Sequence, residues 1–536
     1  MARHRHLLAL GALPLAVLGL FFAYPVLGMA ARGFADGPGA VLGVLARERT
    51  QQVLWFTLWS AGLATVLAVL LGVPVAYTLY RLRVPGRWLL RVAVVVPFVL
   101  PTVVVGVAFR QLLAPGGWLG SLGLDGSAAA IVAALVFFNV AVVVRTVGAM
   151  WESLDPRREE SARVLGATRA QAFLTITLPA LLPAIAAAAT VVFLYCATAF
   201  GVVLTLGGLR HANIETEIWL LTSQQLDLTG AAALSILQVL VIVVLLALAA
   251  RLDRSSDRAG AAQEPARPTR GDLPVLAWTS AVLAALALPL AALVVRSLEY
   301  EGRWSLRNYA ALAGDNPALA ATAAEALSNS LQIAVVAATF AVGLGGLVSW
   351  LVTQPTHGRW ASLVLRSFDT AFMLPLGVSA VTVGFGFLVT LGRPPLALLD
   401  WPWLVPIAQA MVALPLVVRT VTPVLRAIDD RQRQVAASLG ASRWRVFLTV
   451  EMPLAWRALL AATGFAFAIS LGEFGATSFL VRDEVPTLPV VIYRLIGHPG
   501  AANAGTAMAA SVVLALLTAA VMLLVERTRV RGVGAF

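Results

Sequence analysis

Twelve apolar stretches, each long enough to cross a bilayer, limit what this chain can fold into more than any other feature. They lie near 7–30, 53–79, 88–112, 128–150, 181–206 and 230–250, then near 273–295, 328–353, 363–391, 402–425, 457–480 and 503–525. About 20 apolar residues carry a helix across the hydrocarbon, and a helix satisfies every backbone polar group there from within itself. Composition points the same way. Of 536 residues, 60% are hydrophobic and 12% charged, and the mean hydropathy is +0.86, outside the soluble range. The expected fold class is an all-α polytopic membrane protein of about 12 transmembrane helices. The first run exceeds the apolar core of a cleaved signal peptide, so it is expected to remain as the first helix.

Charge sets the orientation. With the N-terminus inside and the spans alternating, 28 arginines fall on cytoplasmic segments and 11 on external ones. That is the bias of the positive-inside rule. Arg81, Arg83, Arg87 and Arg91 fall inside, as do Arg251, Arg254, Arg258, Arg267 and Arg270, and Arg527, Arg529 and Arg531. Both termini are expected to be cytoplasmic. The net charge of +12 is thus spread over short loops between spans, which argues against a nucleic-acid partner and leaves membrane lipid as the neighbour. All 39 Lys-plus-Arg residues are arginines, so no Walker A loop can form. ATP used with this chain must be bound by another polypeptide. The single Cys196 offers no disulfide, and His4, His6, His211, His357 and His498 lack metal-ligand spacing. No catalytic Ser/His/Asp set or carboxylate pair is present. No enzyme activity, cofactor or metal is expected.

One polar segment is written twice. Residues 159–179 read EESARVLGATRAQAFLTITLP, and 433–453 read RQVAASLGASRWRVFLTVEMP. Gly166 and Gly440, Phe173 and Phe447, and Pro179 and Pro453 all differ by 274. The likeness extends further. Pro97 lies nine residues before Gly106, and Pro375 nine before Gly384. Arg145-Thr146-Val147 matches Arg419-Thr420-Val421, and Ala199-Phe200-Gly201 matches Glu473-Phe474-Gly475. Such recurrence implies duplication: a first half over 1–250, a polar cytoplasmic linker over 251–272, and a second half over 273–536. Six spans in each half return the chain to the same side, so the repeats are parallel.

The first copy has Glu160-Ser161-Ala162, three residues, Gly166, nine residues, Ile176, one residue, then Leu178-Pro179. This resembles the EAA coupling loop of permease subunits of ABC importers. The second copy keeps the spacing with Gln434-Val435-Ala436, Gly440, Val450 and Pro453, but Gln434 stands where the pattern has Glu. The resemblance implies a bacterial inner-membrane permease with a cytoplasmic coupling loop in each half. It implies two ABC ATPase subunits as partners, expected to be a homodimer, and a periplasmic or lipoprotein substrate-binding protein. The chemistry suits that role. Ala162, Gly166 and Ala167, and Ala436, Ala437, Gly440 and Ala441, are small enough to seat a short helix in a partner's groove. The glycines permit a sharp turn between short helices. Arg163, Arg169, Arg443 and Arg445 can pair with a partner's acids or with lipid phosphates. Pro179 and Pro453 suit the first turn of the following span.

Ionisable residues within spans are candidates for a translocation path. Glu473 is the clearest, with Phe474 beside it and Phe200 at the matched site of the first half. The alternative for Glu473 is a structural carboxylate that bonds backbone freed by the glycines around it. Asp369 reads as interfacial, and Asn139, Gln409, Tyr195 and Tyr493 as polar path or interhelical hydrogen-bonders. The segment LGEFGATSFL, followed by PTLPVVIYRLIG, resembles thiamine importer permeases. Thiamine or its phosphates is therefore the expected cargo, with ferric iron the alternative, since fused iron permeases share the double loop. Molybdate and sulfate permeases share the LGEFGA segment but usually carry one half. A proton-coupled secondary transporter is the alternative of another class. It would need clusters of intramembrane acids, where this chain offers mainly Glu473.

Overall fold

In lipid each apolar run must close its own hydrogen bonds, and most of these runs do so as unbroken helices. The computed structural model describes residues 2–208, 210–252, 264–354, 359–394 and 396–528. Arg254, Arg258, His357, Arg529 and Arg531, and residues 253–263 of the expected linker, lie outside the described residues. Among the described residues ten helices are long and apolar enough to cross a membrane: Leu10–Gly33, Glu48–Arg81, Ala128–Ser153, Arg169–Ala197, Leu228–Leu245, Arg270–Ser297, Ala323–Val352, Leu404–Arg426, Trp444–Gly472 and Ala501–Val525.

Four expected spans are interrupted, and two of them, left with no single helix long enough to cross, correct the count. The stretch 88–112 is a pair of helices, Arg87–Val99 and Thr102–Leu113, bent by 101°. With this pair counted as one span the total is 11. The stretch 363–391 divides into Arg359–Met373, a 3-10 turn over Leu374–Gly377, and Ala380–Thr390. Pro101 explains the first break: its ring pushes Leu100 out of the helical region, to φ −65° and ψ 141°. The second break is made differently. Val378 is extended, and the Ser379 hydroxyl then accepts the Thr382 N–H at 3.0 Å to start a new helix. The one sheet among the described residues is a hairpin pairing Glu299–Tyr300 with Arg303–Trp304.

The described chain forms two compact units. One comprises Ala46–Glu217 and Leu237–Arg296, and its centre is a trio of helices: Glu48–Arg81, Ala128–Ser153 and Leu178–Ala197. Small residues let these helices approach closely, which is how helices associate where lipid removes the hydrophobic drive. A Cβ at Gly72 would lie 2.9 Å from the Val143 side chain. The other unit comprises Met1–Leu45, Ile218–Ile236 and Ser297–Gly534. Its centre is the corresponding trio, Ala323–Val352, Leu404–Arg426 and Met452–Gly472, where a Cβ at Gly345 would lie 2.7 Å from Val417. The packing units and the repeat halves divide the chain differently. The opening helix packs among second-half spans, with Phe21 6.2 Å from Phe387 and Gly386 against Pro25. Residues 273–296 pack among first-half spans, where Thr279 Oγ1 donates to Thr78 Oγ1 at 2.8 Å.

Candidate functional site

The duplicated loop folds the same way twice. In the first unit a helix over Arg157–Val164 ends at Gly166, a short helix covers Arg169–Ala172, and a π-helical turn over Phe173–Thr177 leads into Leu178–Ala197. In the second unit the order is Asp430–Ser438, Gly440, Arg443–Val446, a π turn over Phe447–Glu451, and Met452–Gly472. Each first helix closes with the same pair of bonds. The Gly166 N–H donates to Arg163 O at 3.1 Å and the Ala167 N–H to Ala162 O at 3.0 Å. The Gly440 N–H donates to Ala437 O at 3.0 Å and the Ala441 N–H to Ala436 O at 3.1 Å. This is the Schellman closure, and it requires a left-handed residue past the helix end. Gly166 has φ +95° and Gly440 φ +80°. Thr168 and Gln171 add a reciprocal capping box in the first copy. Pro179 and Pro453 follow directly on the π turns, at the second residue of the α-helical runs Leu178–Ala197 and Met452–Gly472.

The exposed face of these loops is more apolar than small-residue reasoning indicates. Ala162, Ala167, Ala436 and Ala441 are half-buried, and Ile176 and Val450 likewise, while Glu160, Ser161, Arg163, Gln434 and Val435 are exposed. The most exposed apolar residues are Val164 at 87%, Leu165 at 88% and Leu439 at 82%. Trp444 is exposed too. Arg157, Glu160, Ser161, Val164 and Leu165 line a shallow depression on the first loop. Arginine spacing drew attention away from Val164, Leu165, Leu439 and Trp444, although the two leucines hold matched positions. One expected partner-facing arginine is engaged within its own unit. Arg169 donates to Thr269 Oγ1 at 3.1 Å and lies 3.6 Å from Asp272, so it ties the first loop to the end of the linker.

The other matched signals meet at the breaks. In each unit the broken span packs against the break after Leu178–Ala197 or Met452–Gly472, and a glycine makes the contact. A Cβ at Gly201 would lie 3.1 Å from the Val103 backbone nitrogen, and one at Gly475 3.2 Å from that of Val381. Glu473 is therefore not within a helix but in the break between Met452–Gly472 and Thr477–Leu480. Its carboxylate accepts the Ala476 N–H at 2.7 Å, the Thr477 N–H at 3.0 Å and the Thr477 hydroxyl. Gln409 Nε2 donates to Thr477 Oγ1 at 3.2 Å. Phe200 and Phe474 are buried, Phe474 lies 5.5 Å from Tyr493, and Tyr493 meets Trp219 edge-on at 5.8 Å. In the first unit Asn139 joins two spans by donating to Cys196 Sγ at 3.3 Å. Asp369 pairs with Arg426 at 2.9 Å.

The Glu473 geometry yields a prediction. Glu473→Gln keeps the shape but turns an NH2 toward one of three donors, which should cost about 1–2 kcal/mol. A lower melting temperature of the purified protein is expected, with transport per folded molecule largely kept. Unchanged melting with lost transport would assign Glu473 to the path and not to the cap.

Comparison with known proteins places these features. The family model for the binding-protein-dependent transport system inner membrane component matches residues 64–258 and again 341–529. The thiamine transport system permease protein ThiP of Escherichia coli (strain K12) is 28% identical over 463 residues, 83% of this chain and 83% of that protein. The molybdenum transport system permease protein ModB of the same strain is 36% identical over 190 residues, 33% of this chain and 81% of that protein. Among solved structures, a chain of a bacterial ABC transporter involved in the import of the acidic polysaccharide alginate aligns with TM-score 0.41 and 22% identity, covering 48% of this chain and 98% of that one.

Proposed function

Because this chain belongs to the binding-protein-dependent transport system inner membrane components, matched once in each half, we propose that it is the fused permease for thiamine or its phosphates. It is an ABC importer permease of the inner membrane; it is not an enzyme, and a separate ATPase subunit hydrolyses ATP. The observation that carries the choice of cargo is the likeness to ThiP over 83% of both chains. The likeness to ModB covers 33% of this chain and gives no account of the fusion.

In this reading one chain supplies both membrane halves, 1–250 and 273–536, joined by a cytoplasmic linker, with both termini cytoplasmic. Two identical ATPase subunits dock under Glu160–Ala167 and Gln434–Ala441. An external binding protein delivers cargo from the other side. The Schellman turns present Val164, Leu165 and Leu439 to the ATPase, and burial of such exposed apolar groups is a favourable term for docking. Phe200 in one unit and Phe474 in the other, each at the break of its span, are the proposed contributions to the translocation path, and Glu473 serves it as the cap that shapes the second break. The rings of Phe474, Tyr493 and Trp219 offer π-faces to an aromatic cation.

Reconstitution tests this. The chain, its ATPase and its binding protein are placed in proteoliposomes with labelled thiamine or labelled ferric iron. Thiamine accumulation that needs both ATP and the binding protein is expected. Iron accumulation would keep the machine and replace the cargo. Uptake that ignores ATP and follows a proton gradient would overturn the docking role of the loops.

A further inference from the structure

The two copies of the loop are braced at the same two positions by opposite chemistry. In the first copy Thr177 Oγ1 donates to Glu159 Oε2 at 3.0 Å, tying the first turn of Arg157–Val164 to the π turn below the span. The corresponding residues 274 further on are Arg433 and Glu451. There Arg433 Nε donates to Glu451 Oε1 at 2.7 Å, and Trp350 Nε1 donates to Glu451 Oε2 at 2.8 Å. Arg433 also donates to the Leu425 carbonyl at 3.0 Å and to Asp430 at 2.7 Å. The Arg433 side chain is 13% exposed and that of Glu451 5%. One loop is thus held by a hydroxyl donating to a half-buried carboxylate, the other by a buried ion pair with both carboxylate oxygens engaged.

A buried ion pair adds little net stability, because desolvation offsets most of the attraction, but losing one partner strands the other charge. Its strength is in fixing geometry. Here it fixes the coupling helix Asp430–Ser438 against the base of Met452–Gly472 and, through Trp350, against Ala323–Val352. The first loop has no ion pair at these positions and takes a second support from the linker, through Arg169. We propose that Arg433 and Glu451 are the positioning pair of the second coupling loop, holding its helix stiff so that displacement by the ATPase passes into Met452–Gly472. This rests on the reading of the loops as ATPase-docking elements.

The test uses the complete complex with ATPase and binding protein, reading thiamine transported per ATP hydrolysed. Glu451→Gln is expected to keep the ATPase bound and hydrolysing while transport per ATP falls about fivefold or more, the usual lower bound of coupling between sites. A folding defect alone would lower both activities together and leave the ratio unchanged, which would overturn the proposal. The double variant R433E/E451T writes the first loop's own pair, a carboxylate accepting from a hydroxyl, into the second and removes the unpaired arginine that Glu451→Gln leaves. It is expected to restore most of the ratio, and it carries the test if Glu451→Gln does not accumulate. A folded double variant with no better coupling than an uncoupled ATPase would sink the idea. The doubly substituted chain G166V/G440V separates the two readings. Lost ATPase docking there, with an unchanged ratio for Glu451→Gln, removes the pair alone. Unchanged docking there removes the docking reading as well.

Discussion

Gly384→Ala is expected to destabilise the protein by about 3 kcal/mol, the top of the usual overpacking range. A Cβ at 384 would lie 2.6 Å from Ala476 Cα and 2.9 Å from Ala476 O. Both are backbone atoms, so no rotamer change relieves the contact. The half-helix Ala380–Thr390 and the segment around Glu473 would have to separate, and the carboxylate that caps Thr477–Leu480 would move with them. The same substitution at Gly346 serves as the contrast. A Cβ there meets only Leu459 Cδ2, at 3.6 Å, an ordinary van der Waals distance. Gly346→Ala lies inside the helix Ala323–Val352 and should gain about 0.5–1 kcal/mol from lost backbone entropy in the unfolded chain. Melting of the two purified variants in detergent reads opposite signs if the packing is as described. Equal melting temperatures would mean that the two breaks do not press together.

That contact shows what the sequence could and could not disclose. The pairs Pro97–Gly106 and Pro375–Gly384, and the triplets at 199–201 and 473–475, stood out as repeats. A repeat says that two positions are alike; it does not say that either touches a third. That Gly475 lies on Val381, and Gly201 on Val103, had no signal in spacing. The pair Gly72 and Gly345 escaped notice because the spacing there is 273, one residue out of step with the loops. Apolar length located every span but was silent about continuity, since a broken helix and a straight one need the same apolar residues. Pro101 was a legible reason for one break; Ser379, an ordinary cap, gave no comparable warning of the other. The packing of each opening helix among spans of the opposite half was invisible for the same reason: lipid-facing stretches specify depth in the membrane and carry little information about neighbours. The loops were the most legible part. Their Gly spacing recurs where the Schellman turn demands a left-handed residue, and each Pro recurs directly after a π turn.

The second large effect is expected at those turns. Gly166→Val or Gly440→Val places a β-branched residue at φ +95° or +80°, a region such residues essentially avoid. Nothing lies within 4 Å of the added Cβ at either site, so the strain is in the backbone alone, about 1–3 kcal/mol per site. The loop relieves it by abandoning the turn, because the spans on either side are held by their own packing. The protein should therefore insert and melt nearly as before while ATPase co-purification falls tenfold or more for the doubly substituted chain, as about 1.4 kcal/mol of lost docking energy implies. Asn tolerates left-handed backbone far better than Val, so the Asn variants should keep most of the association. This grading separates turn geometry from side-chain size, since Asn and Val are similar in bulk and both point into open space. Loss with Val and retention with Asn would tie docking to the conformation at 166 and 440. Equal loss with both would place glycine itself in the contact. Full association with all four variants would remove the loops from ATPase docking. The first loop has Arg169 on the linker and the second has Arg433 on Glu451, so unequal losses at 166 and 440 would report how far each support holds its helix once the turn is gone.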